Sequence, residues 1–143
     1  MEFHFTKTHP DAVAPTKSYP TDSGWDVTVL SLDKEFDDGN VHLYNSHLTV
    51  KPPPGYYFEI VPRSSISKTG YSLANSVGII DSSYTGNLYV ALRKSRPDVK
   101  PLELPCRIAQ LILRPLIHAT AVQVESLDIT DRGSGGFGST NQT

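Results

Sequence analysis

One carboxylate stands where the sequence could hold a general base. The apolar run of residues 77–80 ends abruptly in Asp81, and a polar turn that contains Tyr84 follows it. Residues 87–92 then alternate, so the stretch predicts two strands joined as a hairpin with a loop longer than two residues. A carboxylate at the end of a rigid strand has a fixed orientation before a substrate binds, so it can act as a general base. Taken alone, the stretch favours the alternative, in which Asp81 is a turn residue that hydrogen-bonds its own backbone.

A second set of side chains could hold an anion. Arg63, Ser64 and Ser65 stand between a predicted strand and the start of a short helix that ends at Gly70. The N-terminus of a helix carries free amides and partial positive charge, so an added guanidinium and two hydroxyls make a sensible phosphate site. The alternative is an ordinary helix capped by serine, with a surface arginine beside it.

Three further polar side chains have two interpretations each. Gln110 interrupts an apolar strand, where its amide bonds either the backbone at a sheet edge or a ligand at the strand's end. The amide of Asn75 offers a donor and an acceptor that could read a base edge, or it occupies a turn. Tyr84 belongs either to the core or to the floor of a sugar pocket.

The C-terminal segment has a composition of its own. Four of the six residues 133–138 are glycine, which cannot specify a packed element and is typical of a flexible linker. Yet the segment also holds Arg132, Phe137 and three hydroxyl side chains. Such a segment could bind around a nucleotide, because its amides and hydroxyls can bond phosphate and its guanidinium can neutralise charge. The aromatic ring can stack on the nucleobase.

Composition and missing motifs exclude several functions. The 143 residues suffice for one domain, and the net charge of −2 favours neither duplex nucleic acid nor an anionic membrane as partner. No phosphate-binding Gly-Lys-Ser/Thr loop and no Gly-x-Ser-x-Gly turn occurs, and His42 and His47 lack a zinc spacing. The single cysteine, Cys106, has no evident base partner and fits a reducing compartment, so we expect a cytoplasmic or nuclear protein without a membrane span.

Short apolar segments punctuated by 11 prolines and 10 glycines predict an all-β domain. We expect one brief helix over residues 62–70 and an acidic surface turn over 33–40. The strands are expected at residues 2–7, 25–29, 41–44, 48–51, 56–61, 77–80, 87–92, 107–113 and 121–125, and residues 71–74 lead into the segment around Asp81.

The motifs, taken in order, resemble those of a known family. They are Ser23-Gly24-Trp25-Asp26-Val27, Pro62-Arg63-Ser64-Ser65, the segment 78–86, Arg107-Ile108-Ala109-Gln110-Leu111 and the segment 132–140. This set is similar to the five signature motifs of the trimeric dUTPase family and covers most of the chain. Three departures are Ser83, where many members have a second acid, Pro105-Cys106 before the fourth motif, and Thr140-Asn141 at the end of the fifth.

The resemblance implies a jelly-roll or distorted β-barrel with one short helix over residues 1–127, and an arm over residues 128–143 that closes the active site. It implies a homotrimer with active sites at subunit boundaries. The expected reaction is hydrolysis of dUTP to dUMP and pyrophosphate, which limits uracil in DNA and supplies dUMP for dTTP synthesis, with Mg²⁺ on the triphosphate.

The resemblance also assigns a role to each matching residue. Asp81 orients and activates the attacking water, and Asp26 supports the metal indirectly, through water. The remaining residues are expected to bind substrate. The uracil would be contacted by Asn75, Gly78, Ile79 and Ile80, and the sugar by Tyr84, with Tyr89 also binding substrate. The phosphates would be bound by Arg63, Ser64, Ser65 and Gln110, and the closing arm would contribute Arg132, Phe137, Gly138, Ser139 and Thr140.

Other functions compete with this one. A dCTP deaminase shares the implied fold but requires a glutamate on the strand after the hairpin, where residues 88–93 have no acid. A nucleotide-binding protein without catalytic activity would not need Asp81 or the intact arm. A β-sandwich interaction module with a disordered tail is the third alternative.

Overall fold

Short runs of β-branched and aromatic residues, ended by proline or glycine, form ten strands in residues 1–140, the part of the chain that the computed structural model describes. The strands are β1 (His4–Lys7), β2 (Trp25–Val29), β3 (Ser31–Phe36), β4 (Val41–Asn45), β5 (Leu48–Lys51), β6 (Tyr56–Pro62), β7 (Tyr71–Leu73), β8 (Gly78–Ile80), β9 (Tyr89–Lys94) and β10 (Cys106–Pro115).

Two antiparallel sheets of four strands carry the fold. One has the order β2-β10-β6-β8, the other β3-β4-β9-β7, and β1 pairs with β5 in a separate ribbon. Buried side chains of both large sheets form one core cluster, which includes Phe58, Tyr44 and Leu92. Each such side chain contributes roughly 1.5–3 kcal/mol when it is fully buried. The predicted all-β, jelly-roll-like class is therefore confirmed.

The predicted helix is a 3₁₀ turn, Ser64–Lys68, and its predicted serine cap was wrong. Arg63 occupies the N-cap position in an extended conformation, without a side-chain cap. Inside the turn, Ser67 and Thr69 donate to carbonyls three residues earlier, a local bonding pattern that competes with a regular helix. Gly70 follows at φ +77°, as the sequence predicted. No helix within residues 1–140 is long and apolar enough to cross a membrane.

The predicted hairpin around Asp81 was also wrong. β8 pairs with β6, whereas β9 pairs with β4 and β7, so the two strands belong to different sheets. Leu88 explains the crossing because it is fully buried and its amide donates to the carbonyl of Leu48. The alternation of Leu88, Val90 and Leu92 toward the core was predicted correctly.

The acidic segment over residues 33–40 is a turn only in its second half. Its first half belongs to β3, which forms the edge of its sheet beside β4. Exposed charged side chains are typical of edge strands because they discourage pairing with another chain. Residues 33–36 therefore belong to an edge strand, and the prediction that they form part of a turn was wrong.

The last predicted strand, over residues 121–125, is not formed. Val122 and Val124 are 74% and 57% exposed, and no strand follows β10 within residues 1–140. Alternating side chains make a strand only where a neighbouring strand accepts the backbone hydrogen bonds. Among the described residues of one copy, 1–140, the segment lacks that neighbour.

Asp33 ties β3 to the turn between β4 and β5. One carboxylate oxygen accepts from the Ser31 hydroxyl at 2.6 Å and the other from the Asn45 amide at 2.8 Å. The Ser31 hydrogen bond, the Asn45 hydrogen bond and the charges of His47 and Lys34 lower the pKa of Asp33. The charged form is thus the one that the folded state favours.

We expect Asp33→Asn to lower the melting temperature at pH 7 by about 1–3 °C, a small effect because solvent screens this exposed group. A lowered pKa stabilises the fold above the ordinary pKa of aspartate, and that contribution is lost as the pH falls through the folded value. The deficit should therefore shrink below about pH 4 in thermal melts. Asp128→Asn is the matched control, and an equal deficit in both variants would contradict the assignment.

Candidate active site

Asp81 stands between two open cavities. β8 ends at Ile80, so the carboxylate follows directly on a strand that is paired with β6. The larger cavity, about 590 Å³, is lined by Tyr57, Ile79, Asp81, Ser82, Ser83, Pro115, Leu116 and Ile117. The smaller, about 200 Å³, is lined by Ile79, Ile80, Asp81, Tyr84, Asn87 and Tyr89. Five predicted site residues thus surround one small cavity.

Tyr84 is not a core residue. Its ring is 41% exposed in the smaller cavity, and its hydroxyl donates to the carbonyl of Asn87 at 2.7 Å. Partial burial, together with the neighbouring Tyr89, raises the pKa of the phenol, which therefore stays neutral at pH 7. Gly86 makes this position possible, because a Cβ there would lie 2.5 Å from the Tyr84 hydroxyl. The structure thus favours the predicted pocket role of this ring.

Asn75 lies beside the start of β8 but does not line the smaller cavity. A Cβ on Gly78 would be 3.4 Å from the Asn75 amide nitrogen and 3.3 Å from Cβ of Ile60, so glycine allows both neighbours to approach. Ser76 reverses the chain at φ +61° between them. The amide is exposed and points from a tight turn, which leaves it available to a ligand but does not place it around Asp81.

Three charged side chains meet on the sheet formed by β2, β10 and β6. Nε of Arg63 lies 2.9 Å from Oδ1 of Asp26, and Nη1 of Arg107 lies 3.6 Å from Oδ2. Nη1 of Arg63 also donates to the Arg107 carbonyl at 2.8 Å. Asp26, whose side chain is only 12% exposed, therefore orients two arginines. Arg107 was assigned no role from the sequence, although a cation at the start of an apolar strand was a usable signal.

Gln110 takes the backbone alternative in the structure. Its Nε2 donates to the carbonyl of Pro62 at 3.1 Å, next to Arg63, and the side chain is partly buried. Ser64 and Ser65 are exposed at the start of the 3₁₀ turn. The predicted phosphate ligands thus surround one cationic patch, formed by Asp26, Arg63–Ser65, Arg107 and Gln110.

The cationic patch and Asp81 lie at opposite ends of β6. Ile80 pairs with Phe58, so Asp81 stands next to Tyr57, with which it shares the larger cavity. Arg63 follows the other end of the strand. Six residues at a strand rise of about 3.3 Å separate Tyr57 from Arg63 by about 20 Å. One chain therefore does not bring these two groups to the same phosphate.

The predicted closing arm does not cover Asp81 of its own chain. All residues that line the two cavities come from 57–117. Nε of Arg132 donates to the Gly135 carbonyl at 2.8 Å, Gly138 has φ +83°, and Phe137 is fully exposed. Ser139 donates its amide to the Gly136 carbonyl. Part of the predicted arm, residues 141–143, lies outside the described residues.

The acidic side chains fit a magnesium ion carried mainly by a substrate. Within residues 1–140, no three histidine, cysteine, aspartate or glutamate side chains converge as a metal cage. Mg²⁺ often keeps several waters and binds one or two carboxylates plus substrate phosphates. A carboxylate has about four acceptor positions, so Asp26 can accept from metal-bound water besides its two arginines. The indirect role of Asp26 stays a prediction.

The family model described as dUTPase matches residues 11–141. The chain belongs to the dUTPase family.

Relatives from bacteria, fungi and viruses support this membership. The deoxyuridine 5'-triphosphate nucleotidohydrolase of Cutibacterium acnes is 37% identical, covering 92% of this chain and 86% of its own. A probable enzyme of the same name from Schizosaccharomyces pombe is 34% identical over 98% of this chain and 99% of its own. The cowpox virus relative is 34% identical over 95% and 90%.

Solved dUTPases share the fold. A point mutant of the dUTPase of Staphylococcus bacteriophage 80alpha, solved with dUpNHpp, superposes with a TM-score of 0.80. It covers 97% of this chain and 98% of its own at 22% sequence identity. At that identity, the likeness supports the jelly-roll-like architecture of the dUTPase family for this chain.

We expect Gly24→Ala to destabilise this dUTPase family member, because an added Cβ would clash with Oε1 of Gln110 and with Cδ1 of Ile112, and moving the Gln110 side chain would break its hydrogen bond to the Pro62 carbonyl. Overpacking of this kind costs about 1–3 kcal/mol in the free energy of unfolding, which denaturant titration measures. Gly136→Ala, where no atom lies within 4 Å of the added Cβ, is the control and should change it by less than about 0.5 kcal/mol. Equal values for both variants would rule out the steric explanation.

Proposed function

We propose that the protein hydrolyses dUTP to dUMP and pyrophosphate. The observation that carries the proposal is the position of Asp81, at the end of a paired strand and in the wall of a cavity that Tyr84 and Tyr89 line. The membership in the dUTPase family and the names of its relatives support the substrate. Removal of dUTP would limit uracil incorporation into DNA, and the dUMP formed would supply dTTP synthesis.

Asp81 acts as the general base in this proposal. Its carboxylate accepts a proton from a water whose oxygen forms a bond to the α-phosphorus. The bond from that phosphorus to the bridging oxygen breaks, and pyrophosphate leaves with the electron pair. A positioned carboxylate base contributes about 10²–10⁴-fold to such a step.

The smaller cavity takes the nucleoside. Uracil would extend from this cavity along the β8 edge, which ladder pairing keeps rigid, so that backbone groups of Gly78, Ile79 and Ile80 and the amide of Asn75, which lies outside the cavity, recognise it. Tyr84 lies under the deoxyribose, where its face would clash with a 2'-hydroxyl, and Tyr89 flanks it. The volume of about 200 Å³ suits one pyrimidine nucleoside better than a larger purine.

The cationic patch takes the triphosphate. Arg63 and Gln110 offer directed donors, and the hydroxyls of Ser64 and Ser65 are exposed beside them. Mg²⁺ bound to the phosphates would offset their charge, with Asp26 accepting from its water ligands. Preorganised donors and charges of this kind supply most of the stabilisation in phosphoryl transfer.

The separation of about 20 Å along β6 supports an active site shared between subunits. Asp81 and the nucleoside cavity of one subunit would face the cationic patch of a second. The arm of another copy, with Arg132, Phe137, Gly138, Ser139 and Thr140, would then close over the nucleotide. A homotrimer provides three equivalent sites of this kind.

The decisive experiment measures pyrophosphate release from dUTP, dCTP, dTTP and UTP in the presence of Mg²⁺. We expect dUTP to be cleaved at least 100-fold faster than the other three, since in this proposal the backbone of β8 pairs with the 4-oxo group of uracil, whereas cytosine presents a donor there, and since Tyr84 would clash with a 2'-hydroxyl and the cavity wall with a 5-methyl group. Ammonia release from dCTP would favour a deaminase instead. Binding of dUTP without cleavage would identify a non-catalytic nucleotide-binding protein.

Asp81→Asn tests the base within the same assay. The variant should bind dUTP with nearly unchanged affinity and lose about 10²–10⁴-fold in kcat, because the amide cannot take the proton. Asp38→Asn, an exposed acid in the turn after β3, is the matched control and should keep full activity. Unchanged turnover in the Asp81 variant would refute the assigned role.

Deletion of residues 131–143 should spare the fold and the trimer but abolish efficient hydrolysis, because the arm supplies Arg132 and the ring of Phe137. Phe137→Ala is the milder variant and should weaken dUTP binding about tenfold, as the loss of one stacked base contact predicts. Analytical ultracentrifugation checks the assembly, and steady-state kinetics check activity. Full activity of the truncated protein would show that the segment is only a linker.

A further inference from the structure

The backbone directly after Asp81 is held by a side chain from the ribbon of β1 and β5. Nζ of Lys51, the last residue of β5, donates to the carbonyl of Ser82 at 2.9 Å. Ser82 is the neighbour of Asp81, so this hydrogen bond acts one peptide away from the carboxylate. Hydrogen bonds from an ammonium group are stronger than those between neutral groups.

The loop has few other restraints. The amide of Tyr84 donates to the Asp81 carbonyl, and the Tyr84 hydroxyl donates to the carbonyl of Asn87. Both of these hydrogen bonds stay within residues 81–87. Among the hydrogen bonds of residues 1–140, that of Lys51 is the one that reaches the backbone of residues 81–86 from outside the loop.

The same ribbon holds the far end of the loop. Oγ1 of Thr8, just after β1, donates to Oδ1 of Asn87 at 2.9 Å, and the amide of Thr8 donates to the His47 carbonyl. The amide of Leu88 donates to the carbonyl of Leu48 in β5 at 2.8 Å. Ribbon residues and Thr85 also line a common cleft of about 90 Å³. The ribbon therefore hydrogen-bonds the loop near its start and at its end, and it faces Thr85 across this cleft.

We infer that Lys51 is a positioning residue for Asp81, and that the β1–β5 ribbon, through Lys51 and Thr8, sets the orientation of the loop that carries the base. The inference rests on the proposed function. A base that is displaced by about 1 Å loses on the order of 10²-fold in rate, so a loop with few restraints needs an external one. Lys51 lies outside the cationic patch, so its loss leaves the triphosphate contacts intact.

The test compares Lys51→Met, Lys51→Arg and the control Lys7→Met. Lys7 is an exposed lysine on β1 of the same ribbon, and the register His4↔Lys51 places it on the opposite face from Lys51. We expect Lys51→Met to lower kcat for dUTP about five- to tenfold with less than a twofold change in KM, on the scale of one exposed charge-assisted hydrogen bond. Lys51→Arg should recover most of kcat, and Lys7→Met should match the wild type.

Hydrogen–deuterium exchange of the peptide over residues 81–88 is the second measurement and does not depend on activity. We expect faster exchange of this peptide in Lys51→Met, with unchanged exchange in Lys7→Met and an unchanged melting temperature in both. Thr8→Val, which keeps the shape but removes the donor, should raise exchange at the Asn87 end.

Unchanged kcat in Lys51→Met, or unchanged exchange of residues 81–88, would overturn the inference while hydrolysis of dUTP by the wild type stands. A rise in KM without a fall in kcat would also overturn it, since that result indicates a direct contact with substrate. A wild type that does not cleave dUTP would refute the proposed function, and the exchange experiment would still decide whether Lys51 restrains the loop.

Discussion

The antiparallel pairing of β6 with β8 on one side and β10 on the other determines where Asp81 and the arginines of the cationic patch stand. Ile80 opposite Phe58 puts Asp81 at one end of β6, and Gln110 opposite Val61 puts the arginines at the other. A strand cannot shorten, because its rise per residue follows from extended backbone geometry. Asp81 and the arginines of the cationic patch are therefore kept apart within one copy of the chain. A second copy is the simplest way to bring the proposed base close to those cations.

Two kinds of restraint hold the site in shape. The cationic patch is held together because Asp26 on β2 and Arg107 on β10 lie on adjacent strands, and Arg63, directly after β6, bonds both of them. The loop after Asp81 leaves the sheet of β8 and crosses to that of β9, so it depends on contacts at its ends. The burial of Leu88 and the hydrogen bonds to the β1–β5 ribbon supply these contacts.

The local chemistry of the site was predictable, but its connectivity was not. Tyr84, Ile79 and Ile80 were assigned to a pocket with Asp81, and they line one. Arg63 and Gln110 were assigned together, and a shared strand end joins them through Pro62. The hairpin prediction failed because a loop between two apolar segments shows only that both are strands. Whether they pair with each other depends on partners 18 or more residues away, here β6 and β4.

The order and types of residues alone determined the all-β class, the family and the side chains able to do chemistry, because these follow from local periodicity and from motifs that require specific functional groups. Tertiary structure alone decided that residues 33–36 form an edge strand and that, within residues 1–140 of one copy, residues 121–125 have no strand partner. It also decided that Asp26 bonds two arginines and that Lys51 reaches the loop after Asp81. Each of these depends on which distant strand lies alongside, and a linear pattern carries no information about a neighbour's backbone.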